Sequence, residues 1–308
     1  MSRVCVTGAA GFIGSHLCDR LIADGHEVVA IDNFQAGKVE NIAHLLPHPL
    51  FTLFDDDILH FPYALLDGPI DYIFHLAASK KNVCLASPRR DLAINAGGAL
   101  KLLQWAAEKG AKFIHSSTGS VYGDCRGETI TEQTPLNPCS YYGISKTAGE
   151  SYVRYFTGQK MTEGIVLRYF HIYGPRQDYS QDQGGVISIW CDKALRGKPL
   201  ILSGDREITR TFTYVGDVVE ANIRAMDWPA VTGPVNISSG KVVTLGRAID
   251  LIGELSGKKP KVIEAASLIG DVHDYSVNNL KSLDLGMTYR DFETGLRETV
   301  EWHKIRLS

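Results

Sequence analysis

The stretch that most constrains this chain is its beginning, Arg3-Val4-Cys5-Val6-Thr7-Gly8-Ala9-Ala10-Gly11-Phe12-Ile13-Gly14-Ser15-His16-Leu17. The β-branched run from Val4 to Thr7 reads as a buried strand, and Leu17, Leu21 and Ile22 recur at helical spacing behind the glycines. Strand, glycine turn and helix in that order present free backbone N–H groups and a positive helix end to a pyrophosphate. One glycine serves the tight turn, one the close approach of the phosphate, and one the packing of helix on strand. The spacing is Gly-x-x-Gly-x-x-Gly, one residue longer before its second glycine than Gly-x-Gly-x-x-Gly. Alone, such a run suits an ordinary strand–turn–helix as well as a phosphate site. The residues that follow decide between them.

His26 to Ile31 forms a second short apolar strand ending in Asp32-Asn33. An acid at that place, about 20 residues after the glycines, holds ribose hydroxyls and repels a 2′-phosphate, which favours NAD over NADP. Leu50 to Phe54 is a third strand, running into Asp55-Asp56-Asp57-Ile58; Ile70 to Leu76 is a fourth, entering Ala77-Ala78. Small residues at a strand's carboxyl end let a flat ligand lie close. A helix from Leu92 to Lys109 carries Asn95, and Lys112 to His115 makes a fifth strand. This alternation predicts an α/β fold, a doubly wound parallel sheet covered on both faces, with right-handed crossovers placing the strand ends on one edge.

At 308 residues the chain has room for about two domains. A net charge of -3 without a basic run argues against nucleic acid or an anionic membrane as partner. No apolar stretch approaches the roughly 18 to 20 residues of a membrane span, and a strand starting at Arg3 leaves no room for a signal peptide. The six cysteines are scattered without a Cys-x-x-Cys pair and read as reduced packing residues, so a cytoplasmic location is expected.

The fifth strand continues into Ser116-Ser117-Thr118-Gly119-Ser120, and after a polar loop Tyr141-Tyr142-Gly143-Ile144-Ser145-Lys146 opens a helix running to Phe156. Tyr142 and Lys146 are four apart and share a helix face. A lysine beside a tyrosine, with a nicotinamide cation nearby, favours the phenolate and lowers the phenol pKa toward neutrality. Such a tyrosine can take the proton of an alcohol whose carbon gives up hydride.

With these residues in place the sequence resembles the extended short-chain dehydrogenase/reductase family, in its nucleotide-sugar epimerase/dehydratase branch. TGAAGFIG, the Ser-Ser-Thr strand end, YYGISK, RYFHIYGPRQ at 168–177 and RTFTYVGDVVEA at 210–221 carry the resemblance in order and spacing. It implies a Rossmann domain over 1–168 and, over 169–308, mainly a smaller C-terminal substrate-binding lobe, with some segments returning to the main domain. It places Gly8, Gly11, Phe12, Ile13 and Gly14 on the NAD pyrophosphate, Asp32 and Asn33 at the ribose, and Asp57 and Ile58 at the adenine. Leu76, Ala77, Ala78 and Lys80 would lie along the cofactor. Asn95, Ser116, Tyr142, Lys146 and Tyr169 would complete the nicotinamide side. Thr118, Tyr142 and Lys146 would be the catalytic set. Lys81, Thr118, His171, Val186, Arg210 and Asp271 would face the nucleotide-sugar substrate, Arg210 by bidentate guanidinium binding of phosphate. Members are often homodimers through the helices of Asn95 and Tyr142.

The reactions of this branch begin alike: the tyrosine deprotonates the sugar 4-hydroxyl, the threonine hydrogen-bonds the same oxygen, and C4 delivers hydride to NAD. 4,6-Dehydratases then use an Asp-Glu pair directly after the threonine, and decarboxylases keep a Glu at the second of these positions. Here they are Gly119 and Ser120, neither able to carry a proton near neutral pH. The expected reaction is therefore 4-epimerisation of a UDP-hexose or UDP-hexuronate, with a 4-ketoreductase or dehydratase of a deoxysugar pathway as the alternative. The chain departs from the family in having His171 where Asn is common, and Ser267-Leu268-Ile269 before Gly270-Asp271 where an arginine is common.

Overall fold

The computed structural model describes residues 1–79, 81–125, 127–180, 184–266 and 276–308. Five strands open the fold in the expected order: β1 (Arg3–Thr7), β2 (Glu27–Asp32), β3 (Phe51–Asp55), β4 (Tyr72–His75) and β5 (Lys112–Thr118). Val4, Cys5, Val6, Val28, Ala30, Ile31, Ile73, Phe74 and Phe113 are fully buried. Such continuous apolar runs, rather than alternation, are what parallel strands covered on both faces require.

The sheet has seven strands in the order Pro234–Ile237, Gly164–Tyr169, β5, β4, β1, β2, β3. β1 pairs in parallel with β2 and β4, β2 with β3, and β4 with β5. The chain runs outward from β1 through β2 to β3, then returns to β4 on the other side of β1. That reversal opens a crevice at the carboxyl ends of β1 and β4, where the glycine turn and Leu76-Ala77-Ala78 stand. Because the crossovers on either side of β1 run in opposite directions, right-handedness puts α1 (Phe12–Ala23) and the helices after β4 on opposite faces.

The helix expected from Leu92 to Lys109 is present as a π-helical turn leading into an α-helix, and two short helices precede it. α2 (Lys81–Ala86), α3 (Pro88–Leu92), a π-helical turn at Ala93–Gly97 and α4 (Gly98–Lys109) follow one another. Pro88 opens α3, where its missing N–H costs nothing, and Gly110 ends α4 in the left-handed conformation at φ 66°. A π turn is a single-turn insertion in an otherwise continuous helix, and local helix propensity does not mark it. α5 (Tyr141–Gly158) starts at Ser140, whose Oγ accepts from Gly143 N at 3.1 Å. α4 and α5 pack on each other and on β5, enclosing Leu102, Leu103, Trp105, Phe113, Val153 and Phe156.

The chain forms two compact units. The first is Met1–Val121, Pro138–Arg168 and Val219–Val235; the second is Tyr122–Asn137, Tyr169–Val218 and Asn236–Ser308. In the second, helices Val186–Leu195, Leu245–Ser256 and Phe292–Leu307 pack together. Short strand pairs join Ile172–Tyr173 to Thr213–Tyr214 and Leu200–Ser203 to Val262–Ala265. Among the described residues no helix is long and apolar enough to cross a membrane. All six cysteines are free thiols; Cys5, Cys18, Cys84 and Cys191 are buried, but Cys139 is exposed and so is not the packing residue expected.

Candidate active site

The glycine turn is shaped by steric contact. Gly8 adopts φ +71°, and a Cβ there would meet Ala77 N at 2.8 Å, while one on Gly14 would sit 2.0 Å from Gly8 O. Only glycine lets α1 approach the end of β1 this closely while β4 passes beside it. α1 begins after Gly11 with no side-chain cap, so its first N–H groups face outward from a turn without bulk. Leu76 N donates to Thr7 O at 3.2 Å and Ala77 N to Thr7 Oγ1 at 3.3 Å, tying the two strand ends together. Phe12, Ile13, Leu76, Ala77 and Ala78 are all half-buried around this crevice.

Asp32 is buried at the end of β2; its carboxylate accepts from Ala10 N at 2.9 Å and Phe34 N at 2.8 Å. Burial raises its pKa from the ordinary carboxyl value, opposed by those two bonds. Ala10 O in turn accepts from Lys38 N at 3.0 Å and Asn41 Nδ2 at 2.9 Å. The loop after β2 thus clasps the middle of the glycine turn, and Gly37 packs where a Cβ would touch both Asp32 oxygens at 2.8 Å. Gly37 and Asn41 are site residues that sequence reasoning missed, because their role depends on a contact between two loops. Asn33 Nδ2 donates to Asp57 at 3.0 Å, and Asp57 accepts from Leu59 N at 2.9 Å. Ile58 is buried, its side chain lying where a Cβ on Gly98 would go. A cradle that only glycine leaves open, an uncapped helix start and a carboxylate at the end of β2 fit a dinucleotide.

The catalytic candidates come together at the carboxyl end of β5. Thr118 is its last residue and is half-buried. A Cβ on Gly143 would meet Ser120 O at 2.6 Å. The glycine of the YYGISK motif therefore lets the first turn of α5, with Tyr142, press against the turn that follows Thr118. Lys146 is 1% exposed; its Nζ donates to Ser116 O at 3.0 Å and lies 6.0 Å from the centre of the Tyr142 ring. Burial pulls its pKa down to about 8, while Asp91 and Glu150 hold it up. In the protein alone, burial, and after it Asp91 and Cys84, pushes the Tyr142 phenol above the ordinary value, whereas the lowering expected from the sequence includes a nicotinamide cation beside it. The main cause is desolvation of the phenol, and the acid Asp91 adds to it.

Asn95 is fully buried in the π turn. Its Nδ2 donates to Asp91 at 2.9 Å and Ser145 Oγ at 2.9 Å, and its Oδ1 accepts from Ser79 N at 3.0 Å. Its side chain is spent inside the protein, tying α3 and the segment after β4 to α5. Ser116 is likewise engaged, donating to His75 O at 2.8 Å. Glu150, one turn beyond Lys146 on the face of Tyr142, accepts from Arg168 Nη2 at 2.6 Å. The i, i+4, i+8 series was there to be read, but its partner Arg168 on another strand was not.

Of the candidates carried by the second unit, His171 and Arg210 lie near each other. Tyr169 is buried at the end of its strand. His171, at φ 39°, is followed by Ile172–Tyr173, paired with the strand just after Arg210. Burial and the Arg210 guanidinium push His171 down to about 3, so the ring is neutral and offers hydrogen bonds, not charge. Arg210 is half-buried with Nη1 on Thr209 O at 2.8 Å. Val186 is the exposed first residue of its helix, and Lys81 the first residue of α2. Lys80 and Asp271 lie outside the described residues.

The profile of the NAD dependent epimerase/dehydratase family matches residues 4–238. The chain belongs to this family. NAD is accordingly its cofactor. Among solved structures it is similar to the UDP-glucose 4-epimerase of Thermotoga maritima, solved with UDP-glucose. That likeness has a TM-score of 0.92, 34% identity, and covers 99% of this chain and 100% of the other. A similar likeness holds to the UDP-glucuronic acid 4-epimerase of Bacillus cereus, solved with UDP-glucuronic acid and NAD, at TM-score 0.91 and 28% identity over 99% and 100% of the two chains. In sequence it is also 34% identical over 262 residues to UDP-glucuronic acid decarboxylase 1 of Xenopus tropicalis, covering 83% of this chain and 60% of that protein.

Proposed function

We propose that this protein interconverts a UDP-hexose or UDP-hexuronate and its 4-epimer through a transient 4-keto sugar. The observation that carries the reading is the convergence of Thr118, Tyr142 and Lys146 at the end of β5, followed by Gly119 and Ser120, which bring no acid. When bound, NAD supplies the hydride acceptor and donor and a ring cation that favours the tyrosine phenolate. Gly8, Gly11 and Gly14 would hold its pyrophosphate, Asp32 its ribose, and Asp57 with Ile58 its adenine. Tyr142 takes the proton of the sugar 4-hydroxyl and later returns it. Thr118 hydrogen-bonds that oxygen and Lys146 supplies positive charge beside the phenol. Epimerisation would require the 4-keto sugar to turn over in the site, so that C4 would be reduced on its other face while Tyr142 returns the proton. Arg210 would hold the nucleotide diphosphate, with neutral His171 as a hydrogen-bonding neighbour.

Both epimerase neighbours support this reading. The decarboxylase relative favours a second one, but Ser120 stands where the resemblance calls for a glutamate. We infer a homodimer through α4 and α5, because Ile144, Tyr152 and Tyr155 are exposed on α5 at 51%, 36% and 59%. The test is to incubate purified protein, without added cofactor, with UDP-glucose, UDP-galactose, UDP-glucuronate and UDP-galacturonate. Appearance of the 4-epimer from one pair is expected. Consumption of added NADH with a 4-keto sugar nucleotide, or release of carbon dioxide from a uronate, would overturn it.

A further inference from the structure

The reaction chemistry uses Lys146 but leaves open how an ammonium that is 1% exposed stays charged. A buried ammonium without a counter-charge gives up its proton. Two buried carboxylates lie in the surroundings of Lys146: Glu150, one turn along α5, and Asp91 of α3, which Asn95 Nδ2 ties to Ser145, the residue before Lys146. Glu150 is already neutralised, since Arg168 binds it through Nε at 3.0 Å and Nη2 at 2.6 Å, and Ser117 Oγ donates to it as well. Asp91 is 1% exposed, and its side-chain donors are the neutral groups Ser79 Oγ and Asn95 Nδ2, the latter at 2.9 Å. The other titratable groups facing Lys146, His75 and His115, are fully buried and held neutral by that burial and by the lysine itself. Charge balance in this dry cluster therefore sets Arg168 against Glu150 in a contact pair and Asp91 against Lys146 at longer range, across the Asn95–Ser145 bridge.

Asp91 is also coupled mechanically to the catalytic tyrosine. Asn95 Nδ2 bridges Asp91 to Ser145 Oγ at 2.9 Å, and Ser145 Oγ donates to Tyr142 O at 3.0 Å. We propose that Asp91 is a positioning residue of the active site: the buried counter-ion of Lys146, which also fixes the first turn of α5 through Asn95 and Ser145. This deepens the reaction proposed above and rests on Tyr142 being its base. The same carboxylate, with Cys84, opposes ionisation of Tyr142. Desolvation is the larger influence on each, and the one carboxylate favours the protonated form of both partners.

Asp91→Asn isolates the charge, because Ser79 Oγ and Asn95 Nδ2 both end on Oδ1, which an asparagine oxygen can replace. In the NAD-bound enzyme the expected result is a displacement of both limbs of the pH–rate profile to lower pH by about one unit, a tenfold change in each ionisation constant. A role confined to packing would lower the rate at every pH and leave the limbs in place, which would overturn the proposal. Two further readouts need no substrate, so they survive a wrong reaction assignment. The Tyr142 phenolate, read as the absorbance difference between parent and Tyr142→Phe proteins on titration, should form at lower pH in the Asp91→Asn background. In thermal melts, Asp91→Asn should cost less when Lys146 is already Met than when it is Lys; equal losses in the two backgrounds, or an unmoved phenolate titration, would refute the pairing.

Discussion

Replacing Gly14 by alanine sets two effects against each other. Gly14 lies inside α1 without a positive φ, so helix propensity alone favours alanine by about 0.5 to 1 kcal/mol. The added Cβ would stand 2.0 Å from Gly8 O, 2.8 Å from Gly8 C and 3.0 Å from Ala9 Cα. All three are backbone atoms, so no side-chain rotation relieves the contact. Overpacking of this kind costs about 1 to 3 kcal/mol, which outweighs the propensity gain. The expected net loss of stability is therefore about 1 to 2 kcal/mol. Relief must come from moving the Gly8–Ala9 turn away from α1, and that turn is the phosphate cradle. A displaced cradle should weaken NAD binding at least about tenfold, or 1.4 kcal/mol. The assay is the amount of NAD released on denaturing the purified variant, beside calorimetric titration of NAD and a thermal melt. A Gly14→Ala protein that purifies with a full complement of NAD and melts at or above the parent temperature would refute the reasoning.

Three further outcomes follow from the same structure. Tyr142→Phe should lower epimerisation at least about 10²-fold while leaving NAD bound, as measured by turnover and cofactor content; retained turnover would mean another base. Asn41→Ala removes the 2.9 Å bond to Ala10 O and should weaken NAD retention by about 1 kcal/mol with little change in kcat at saturating NAD; an unchanged NAD affinity would deny the clasp its role. Asp217, half-buried and accepting from Arg290 N at 3.0 Å, has its carboxyl pushed up to about 6 by burial. The folded chain then holds this proton more tightly than the unfolded one, so stability falls as pH rises from about 4 to 6 and stays lower above that. Asp217→Asn should therefore be more stable than the parent by about 1 to 2 kcal/mol at pH 8 once solvent screening at a half-buried carboxyl is allowed for. The gap in melting temperature should close toward pH 4, and a gap independent of pH would contradict the assignment.

Much of the first unit was legible because it is local and periodic. β1 to β5 fall within about two residues of where apolar runs and turns place them, since buried parallel strands have an unambiguous pattern. The glycine spacing, the acid closing β2, and Tyr142 four residues before Lys146 are likewise short-range signals. What the pattern could not show are contacts between segments distant in the chain. The hydrogen bonds of Ala10 O with Lys38 and Asn41, the fit of Gly143 against Ser120, the pairing of Glu150 with Arg168 and the burial of Asp91 all depend on tertiary packing. So does the ionisation of Tyr142. The lowering expected from the sequence needs a nicotinamide cation, and in the protein alone desolvation and a buried carboxylate raise the phenol. The sequence by itself determined the strands in chain order, the glycine turn proposed as the cofactor cradle and the candidate reactive side chains, because each is written in adjacent or periodic residues. Only the tertiary structure decided which way the ionisation of those side chains is pushed, since that depends on which groups from elsewhere in the chain are excluded from water beside them.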